Sequence, residues 1–232
     1  MKPYMPVVAQ IINKSKPKSI LDVGAGNGWL LSQIDYSVEK IDAIDWIASE
    51  RPGYGKSFIA DLNNGIPAEI GVYDCIVCCE VIALLTNPGL LFSGINRHLA
   101  ADGLFIISTP NTWFPQSRFQ FFLRNFHSSF PNLAGKLTWG KHMHLIPWSF
   151  AQLYNFMGLH GFENIVLHDL PEKKPKHFHE WILGLPSLVY FAIRKLSAKE
   201  DKVRDFWRYA GSLQSLMGRR LVVSAVKTGD MK

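Results

Sequence analysis

The run Ile20-Leu21-Asp22-Val23-Gly24-Ala25-Gly26-Asn27-Gly28-Trp29-Leu30-Leu31 constrains the fold more than any other stretch of the chain. It reads as a buried strand, a glycine turn and the start of a helix. The glycines let the backbone turn tightly and approach a ligand where a Cβ would collide, and a helix starting there offers unpaired N–H groups. Such a unit predicts a nucleotide-like cofactor at the turn. A dinucleotide fingerprint is Gly-x-Gly-x-x-Gly, with the pyrophosphate on the helix N-terminus. Here the spacing is Gly-x-Gly-x-Gly, and an acid, Asp22, stands two residues ahead. An acid there repels a pyrophosphate and suits a cationic ligand.

This pattern resembles the first motif of the class I methyltransferases that use S-adenosylmethionine, a strand ending in an acid followed by Gly-x-Gly-x-Gly. That cofactor carries an ammonium and a sulfonium, in keeping with the acid. Taken alone, the turn also fits a purely structural tight turn or a nicotinamide site. The resemblance implies that Asp22, Gly24, Gly26 and Gly28 hold S-adenosylmethionine, with S-adenosylhomocysteine as product. The next strand, Lys40-Ile41-Asp42-Ala43-Ile44-Asp45, ends in an acid roughly 20 residues beyond the glycines, where a ribose diol needs a carboxylate acceptor. Asp45 is that acceptor, and Trp46 beside it suits either the adenine face or ordinary core. A third strand, Ser57-Phe58-Ile59-Ala60-Asp61-Leu62, places Asp61 where the family accepts a hydrogen bond from the adenine amino group. Leu62 and Cys79 complete the expected cofactor contacts.

The apolar run Tyr73-Asp74-Cys75-Ile76-Val77-Cys78-Cys79-Glu80-Val81-Ile82 suits a central parallel strand buried on both faces. A helix from about Pro88 to Leu99 follows, then Asp102-Gly103 turns the chain into a strand over Leu104-Thr109. Helical spacing from Trp148 to Leu159, a strand from Phe162 to Leu170 and a last one from Arg220 to Lys227 complete the plan. The expected fold is α/β: a doubly wound, Rossmann-like sheet of seven mostly parallel strands, the last antiparallel. At 232 residues and 47% apolar, one domain over 1–232 is expected, with insertions at about 110–147 and 171–219. No N-terminal stretch has the layout of a secretory signal, so a cytoplasmic location is expected.

Cys75, Cys78 and Cys79 form a Cys-x-x-Cys pattern. No second pair completes a zinc site, and in an apolar strand they serve as small buried hydrophobes. No metal site is therefore predicted. The Pro-Cys pair of cytosine methyltransferases and the Asn/Asp-Pro-Pro-aromatic signature of base amino-group methylation are both absent, which disfavours nucleic-acid bases as acceptors. Glu80-Val81-Ile82-Ala83-Leu84-Leu85-Thr86-Asn87-Pro88 resembles the Glu-Val-Ile-Glu-His-Leu-x-Asn-Pro stretch of the branch that includes ubiquinone and menaquinone methyltransferases. Ala83-Leu84 replaces Glu-His, so an acid/base or metal-ligand pair is lost there. Methyl transfer survives such a loss, because it depends chiefly on aligning nucleophile, carbon and sulfur.

The connection from Pro110 to Pro147 is far longer than usual and carries Trp113, Phe114, Phe119, Phe121, Phe122, Phe126, Phe130 and Trp139. Phe119, Phe122, Leu123 and Phe126 fall at helical spacing, giving an apolar stripe that packs on the body of the domain or roofs an apolar acceptor. Lys141-His142-Met143-His144-Leu145-Ile146-Pro147-Trp148 closes the connection and resembles the His-x-His-aromatic segment of lipid- and glycan-pathway relatives. His144, then His142, are the candidate general bases; a surface or hydrogen-bonding role is the plain alternative. Asn111, Trp113 and Trp148 are the candidate acceptor contacts, with an Asx turn as the other reading of Asn111.

The basic surplus is all C-terminal: residues 171–232 hold 13 Lys/Arg against 6 Asp/Glu, whereas residues 1–170 hold 12 against 13. It surrounds an uncharged segment, Trp181 to Ile193, too short to span a bilayer and broken by Pro186. Basic flanks around an apolar segment with Trp and Tyr suit an anionic membrane surface; a buried helix with solvated charges is the alternative. His177 and His179 read as surface residues. The expected function is S-adenosylmethionine-dependent methyl transfer to a small apolar or lipid-linked acceptor, at oxygen. Alternatives are a cofactor-binding module without catalysis and an RNA-modifying enzyme recruited by Lys173, Lys174, Lys176, Arg219 and Arg220, although no RNA-binding motif accompanies them.

Overall fold

The computed structural model describes residues 2–128, 144 and 146–228. In it the apolar runs become strands β1 (Ser19–Val23), β2 (Lys40–Asp45), β3 (Ser57–Ile59), β4 (Tyr73–Cys79), β5 (Leu99–Pro110), β6 (Phe162–His168) and β7 (Arg220–Lys227). They form one sheet in the order β3-β2-β1-β4-β5-β7-β6. Strands β1 to β5 pair in parallel, and β7 runs antiparallel between β5 and β6. The chain leaves β1 toward β2 on one side, while β4 lies on the other. The carboxyl ends of β1 and β4 therefore bracket the switch point at which open α/β sheets bind ligands.

The helices are α1 (Tyr4–Ser15), α2 (Pro88–His98), α3 (Pro115–Arg124), α4 (Phe150–Leu159), α5 (His179–Ser197), α6 (Asp201–Ala210) and α7 (Leu213–Met217). On one face Tyr4, Val8 and Ile12 of α1 pack on Ile20, Cys75, Val77, Ile106 and Val222. On the other, Leu91, Phe92 and Ile95 of α2 join Phe150, Leu153 and Met157 of α4 over Leu21, Val23, Ile44, Ile76 and Phe105. Helix α4 starts where expected because Ser149 and Gln152 form a capping box. Cys75 and Cys78 fall into opposite core layers by strand alternation, so they cannot ligate one ion together. All three thiols are buried, and burial pushes their pKa values up.

Two expectations change. No α-helix follows the glycine turn: the connection from β1 to β2 holds only a 3-10 turn at Leu31–Gln33, and that from β2 to β3 has no helix. Gly24, Gly26 and Gly28 all have left-handed φ, at 74°, 55° and 74°, which uncouples the turn from any helix nucleus. Leu31, Ile34 and Tyr54 cover that face instead. The third strand stops at Ile59, because Asp61 caps a 3-10 turn over Leu62–Asn64 by accepting from the Asn63 N–H at 2.9 Å.

The end of β5 is stapled to the chain before β7. Asn111 Nδ2 donates to the carbonyls of Ser215 at 2.8 Å and Gly218 at 2.9 Å, and Oδ1 accepts from Trp113 N–H at 3.0 Å. Asn111→Ala would orphan two buried carbonyls, each costing about 1–3 kcal/mol. Urea denaturation should show a loss of about 2–4 kcal/mol.

Candidate active site at the carboxyl edge of the sheet

The glycine turn is tied to β2 rather than to a following helix. The backbone N–H groups of Gly24 and Ala25 donate to the Ile44 carbonyl at 2.8 and 3.4 Å, and that of Gly26 donates to Asp45 Oδ2 at 2.8 Å. Asp45 Oδ1 also accepts from Trp46 N–H at 2.8 Å and Ile47 N–H at 3.3 Å. Arg51 closes the loop: its Nε donates to the Gly26 carbonyl at 2.9 Å, and its Nη2 lies 3.5 Å from Asp45 Oδ2. Four donors thus surround the Asp45 carboxylate.

Beneath the turn, Asp22 is 1% exposed and accepts from the Tyr54 hydroxyl at 2.8 Å. Burial raises its pKa to about 7, the Tyr54 bond and the Arg51 charge opposing that rise. Space around the glycines is unequal. A Cβ on Gly24 would come 2.1 Å from Val81 Cγ2, and one on Gly28 3.1 Å from the Tyr54 ring, but one on Gly26 would meet nothing within 4 Å. The open volume therefore lies over Gly26. The turn fits a cationic nucleoside on two grounds: the Asp45 carboxylate beside Gly26, and open space over Gly26 that a side chain would enter.

The Val81 contact sets the segment after β4 against Gly24. There Glu80 has φ 62°, an uncommon conformation for a residue with a side chain. Its carboxylate accepts from Ser108 Oγ at 3.3 Å and lies 3.6 Å from Arg220 Nε. Burial raises its pKa, against the pull of Arg220, Lys2 and Ser108. Tyr4 lies within electrostatic reach of Glu80, Arg220 and Cys79, and its ring meets Trp29 edge-on at 5.9 Å. The start of α1 thus closes over the same edge. Burial, with Cys79 and Glu80 nearby, pushes the Tyr4 hydroxyl pKa up.

The other predicted residues scatter. Trp46 is 54% exposed beside Asp45. Asp61 is exposed in its cap, Leu62 is buried next to it, and Asn63 Oδ1 accepts from Thr86 N–H at 2.8 Å, joining the ends of β3 and β4. Cys79 is buried at the end of β4. Asn111 is committed to its staple, Trp113 Nε1 donates to Gln152 at 3.2 Å, and Trp148 is 1% exposed in the core. His144 lies against His127, just past α3. His142, Phe130 and Trp139 lie outside the described residues. Glu80, Arg51, Tyr54, Tyr4 and Arg220 were not anticipated as site residues. Only Glu80 had a sequence signal, its place in the Glu-Val-Ile stretch; the others arrive from distant segments. Among the described residues no group of His, Cys, Asp or Glu has the arrangement of a metal site.

Asp22 makes folding pH-dependent. Its pKa is raised in the folded protein, so the folded state binds the proton more tightly, and stability falls as pH rises from about 4 to 7. The loss is up to roughly 1.4 kcal/mol per pH unit, or about 4 kcal/mol in all. Asp22→Asn keeps the Tyr54 bond and should flatten that slope in urea denaturation between about pH 4 and pH 8.

Residues 3–167 match the family described as "Methyltransferase domain"; the match ends within β6 and leaves α5 to α7 outside. No protein of curated function matches the chain by sequence. Similar solved structures include a Haloferax volcanii complex of the Trm112 methyltransferase activator with a protein assigned as a methyltransferase, at 10% identity and TM-score 0.57, covering 99% of this chain and 91% of that one. A SAM-dependent methyltransferase from Archaeoglobus fulgidus matches at 15% identity and TM-score 0.51, covering 96% and 94%. The Haemonchus contortus phosphoethanolamine N-methyltransferase 2, with S-adenosylhomocysteine bound, matches at 13% identity and TM-score 0.51, covering 96% of this chain and 53% of that one. The chain belongs to the methyltransferase-domain family, and it has the fold of S-adenosylmethionine-dependent methyltransferases.

Proposed function

We propose that this protein transfers a methyl group from S-adenosylmethionine to an oxygen of a small apolar or lipid-linked acceptor. The observation that carries the cofactor half is the open space over Gly26, whose backbone N–H donates to the Asp45 carboxylate. In this reading Asp22, Gly24, Gly26 and Gly28 form the cradle. Asp45 and Trp46 take the ribose and adenine side, Asp61 and Leu62 the adenine edge, and Cys79 the floor. When bound, S-adenosylmethionine supplies an electrophilic methyl on a sulfonium.

The protein's own task is to orient the acceptor oxygen and take its proton. His144 and His142 are the candidate bases by resemblance, with Trp113 beside the acceptor; Asn111, held in its staple, and Trp148, 1% exposed in the core, are not available to it. Glu80 joins them on a specific observation: a partly buried carboxylate with a raised pKa, at the β4 end next to Val81, which lies against Gly24. A carboxylate made more basic by burial accepts a hydroxyl proton more readily at neutral pH. Ala83 and Leu84, next in the chain, hold no proton acceptor. The cytoplasm is the compartment we propose.

Isothermal titration with S-adenosylmethionine should give saturable binding, and Asp45→Ala should weaken it; unchanged affinity removes Asp45 from the site. Gly26→Ala adds a methyl where the cradle is open, so it should cost about 1 kcal/mol in stability through its positive φ yet reduce binding at least tenfold (about 1.4 kcal/mol,). With an acceptor in hand, Glu80→Gln should lower kcat by roughly 10²–10⁴ and remove the acid limb of the pH profile. If His144→Ala does so instead, His144 is the base. Binding without any release of S-adenosylhomocysteine would favour the non-catalytic module.

A further inference from the structure

Helix α5 turns most of its apolar residues outward. Its inner side is mixed: Glu180 is 0% exposed and ion-paired with Arg219, Gly184 lies against Met217 and Pro115, Ser187 accepts from Arg118 of α3, and Phe191 packs on the core. Its outer side carries Ile182, Leu185, Val189, Ile193 and Leu196, with Phe178 just ahead. These six are 51–85% exposed. They advance by four, three, four, four and three residues, which keeps them on one helical face. Trp181 and Tyr190, partly exposed, border that stripe on its two sides. Helix α3 lies alongside through the Arg118–Ser187 bond and leaves Phe119, Phe122 and Leu123 exposed. The stripe expected to cover the domain thus faces outward.

The charges on these two helices have one sign. The only carboxylate in either is Glu180, which is buried and paired; the exposed charges are Arg124, Arg194 and Lys195. An apolar stripe bordered by Trp and Tyr, on two helices whose exposed charges are all positive, is complementary to an anionic lipid surface, although Arg194 also stacks on Trp207 of α6 near Glu200. Lipid tails take the stripe, the aromatics settle at the headgroup level, and the cations meet the phosphates. No described helix is long and apolar enough to cross a membrane, so the helix lies along the surface. We propose that α3 and α5 dock the protein on anionic membranes through this face. The segment 171–219 lies beyond the residues that match the methyltransferase-domain family, and the docking does not rest on the proposed methyl acceptor.

Co-sedimentation of the full chain with vesicles tests it. Binding to phosphatidylcholine mixed with phosphatidylglycerol, but much less to phosphatidylcholine alone, is expected. Replacing Ile182, Val189 and Ile193 together by Gln should cut partitioning at least tenfold (about this size from lost apolar burial,). The melting temperature should hold, because the replaced side chains are exposed. Arg194→Gln with Lys195→Gln should weaken binding most at low salt. Binding unaffected by the triple replacement, or absent from both vesicle types, overturns the proposal. So does light scattering that shows a dimer through this face, or a gel shift in which the chain retains RNA while ignoring vesicles. Titration of S-adenosylmethionine into the triple variant reads the cofactor site separately, so failure there does not count against docking.

Discussion

The bonds that tie the glycine turn to the end of β2 hold the whole carboxyl edge in place. In a Rossmann-like sheet a helix after the first strand normally fixes such a turn. Here three successive left-handed glycines prevent that helix, and the fixing falls to Ile44, Asp45 and Arg51. Arg51 matters most because it touches both sides, accepting nothing and donating to the Gly26 carbonyl while facing the Asp45 carboxylate. A guanidinium has several donors in a rigid fork, which suits bridging a turn to a strand end. The pair is nearly buried, so removing either partner would leave a charge stranded in a poorly solvated place.

The same edge divides into two chemical halves. Around Gly26 and Asp45 the edge is open, and beneath it lies Asp22, whose pKa burial raises to about 7. A cation arriving there is met by a carboxylate whose ionisation it favours. Around Glu80 the strand end is strained into a left-handed conformation, which turns the carboxylate toward Ser108 and Arg220. Strain of this kind persists only where surrounding contacts over-determine it. Ser108 from β5, Arg220 from β7 and Tyr4 from α1 provide those contacts.

Beyond the edge, the C-terminal helices depart from the usual logic of burial. A helix that faces its apolar stripe outward gains nothing from folding onto the sheet with that stripe. The inner side of α5 is held instead by Glu180–Arg219, by Ser187 and by the ring contact of Phe191 with Trp207 at 5.8 Å. Those contacts fix its orientation, and with it the exposure of the stripe.

Much of the fold was legible in the chain. Continuous apolar runs marked the buried parallel strands, since alternation disappears when both faces are covered. The helical spacing from Trp148 to Leu159 marked α4, but the Asp102-Gly103 turn did not bound a strand, since β5 runs through it from Leu99 to Pro110. The sequence by itself determined the approximate positions of the buried strands, the glycine turn and the acids Asp22, Asp45 and Asp61 beside them, because each depends on neighbours within a few residues. Only the tertiary structure decided that the first crossovers lack helices and that Arg51 and Tyr54 serve the turn. It also decided that Asn111 staples β7, that Glu80 meets Arg220, and that α5 turns its apolar face outward. These depend on contacts between residues dozens of positions apart, and on which side of an amphipathic helix finds polar partners, and no local pattern encodes either.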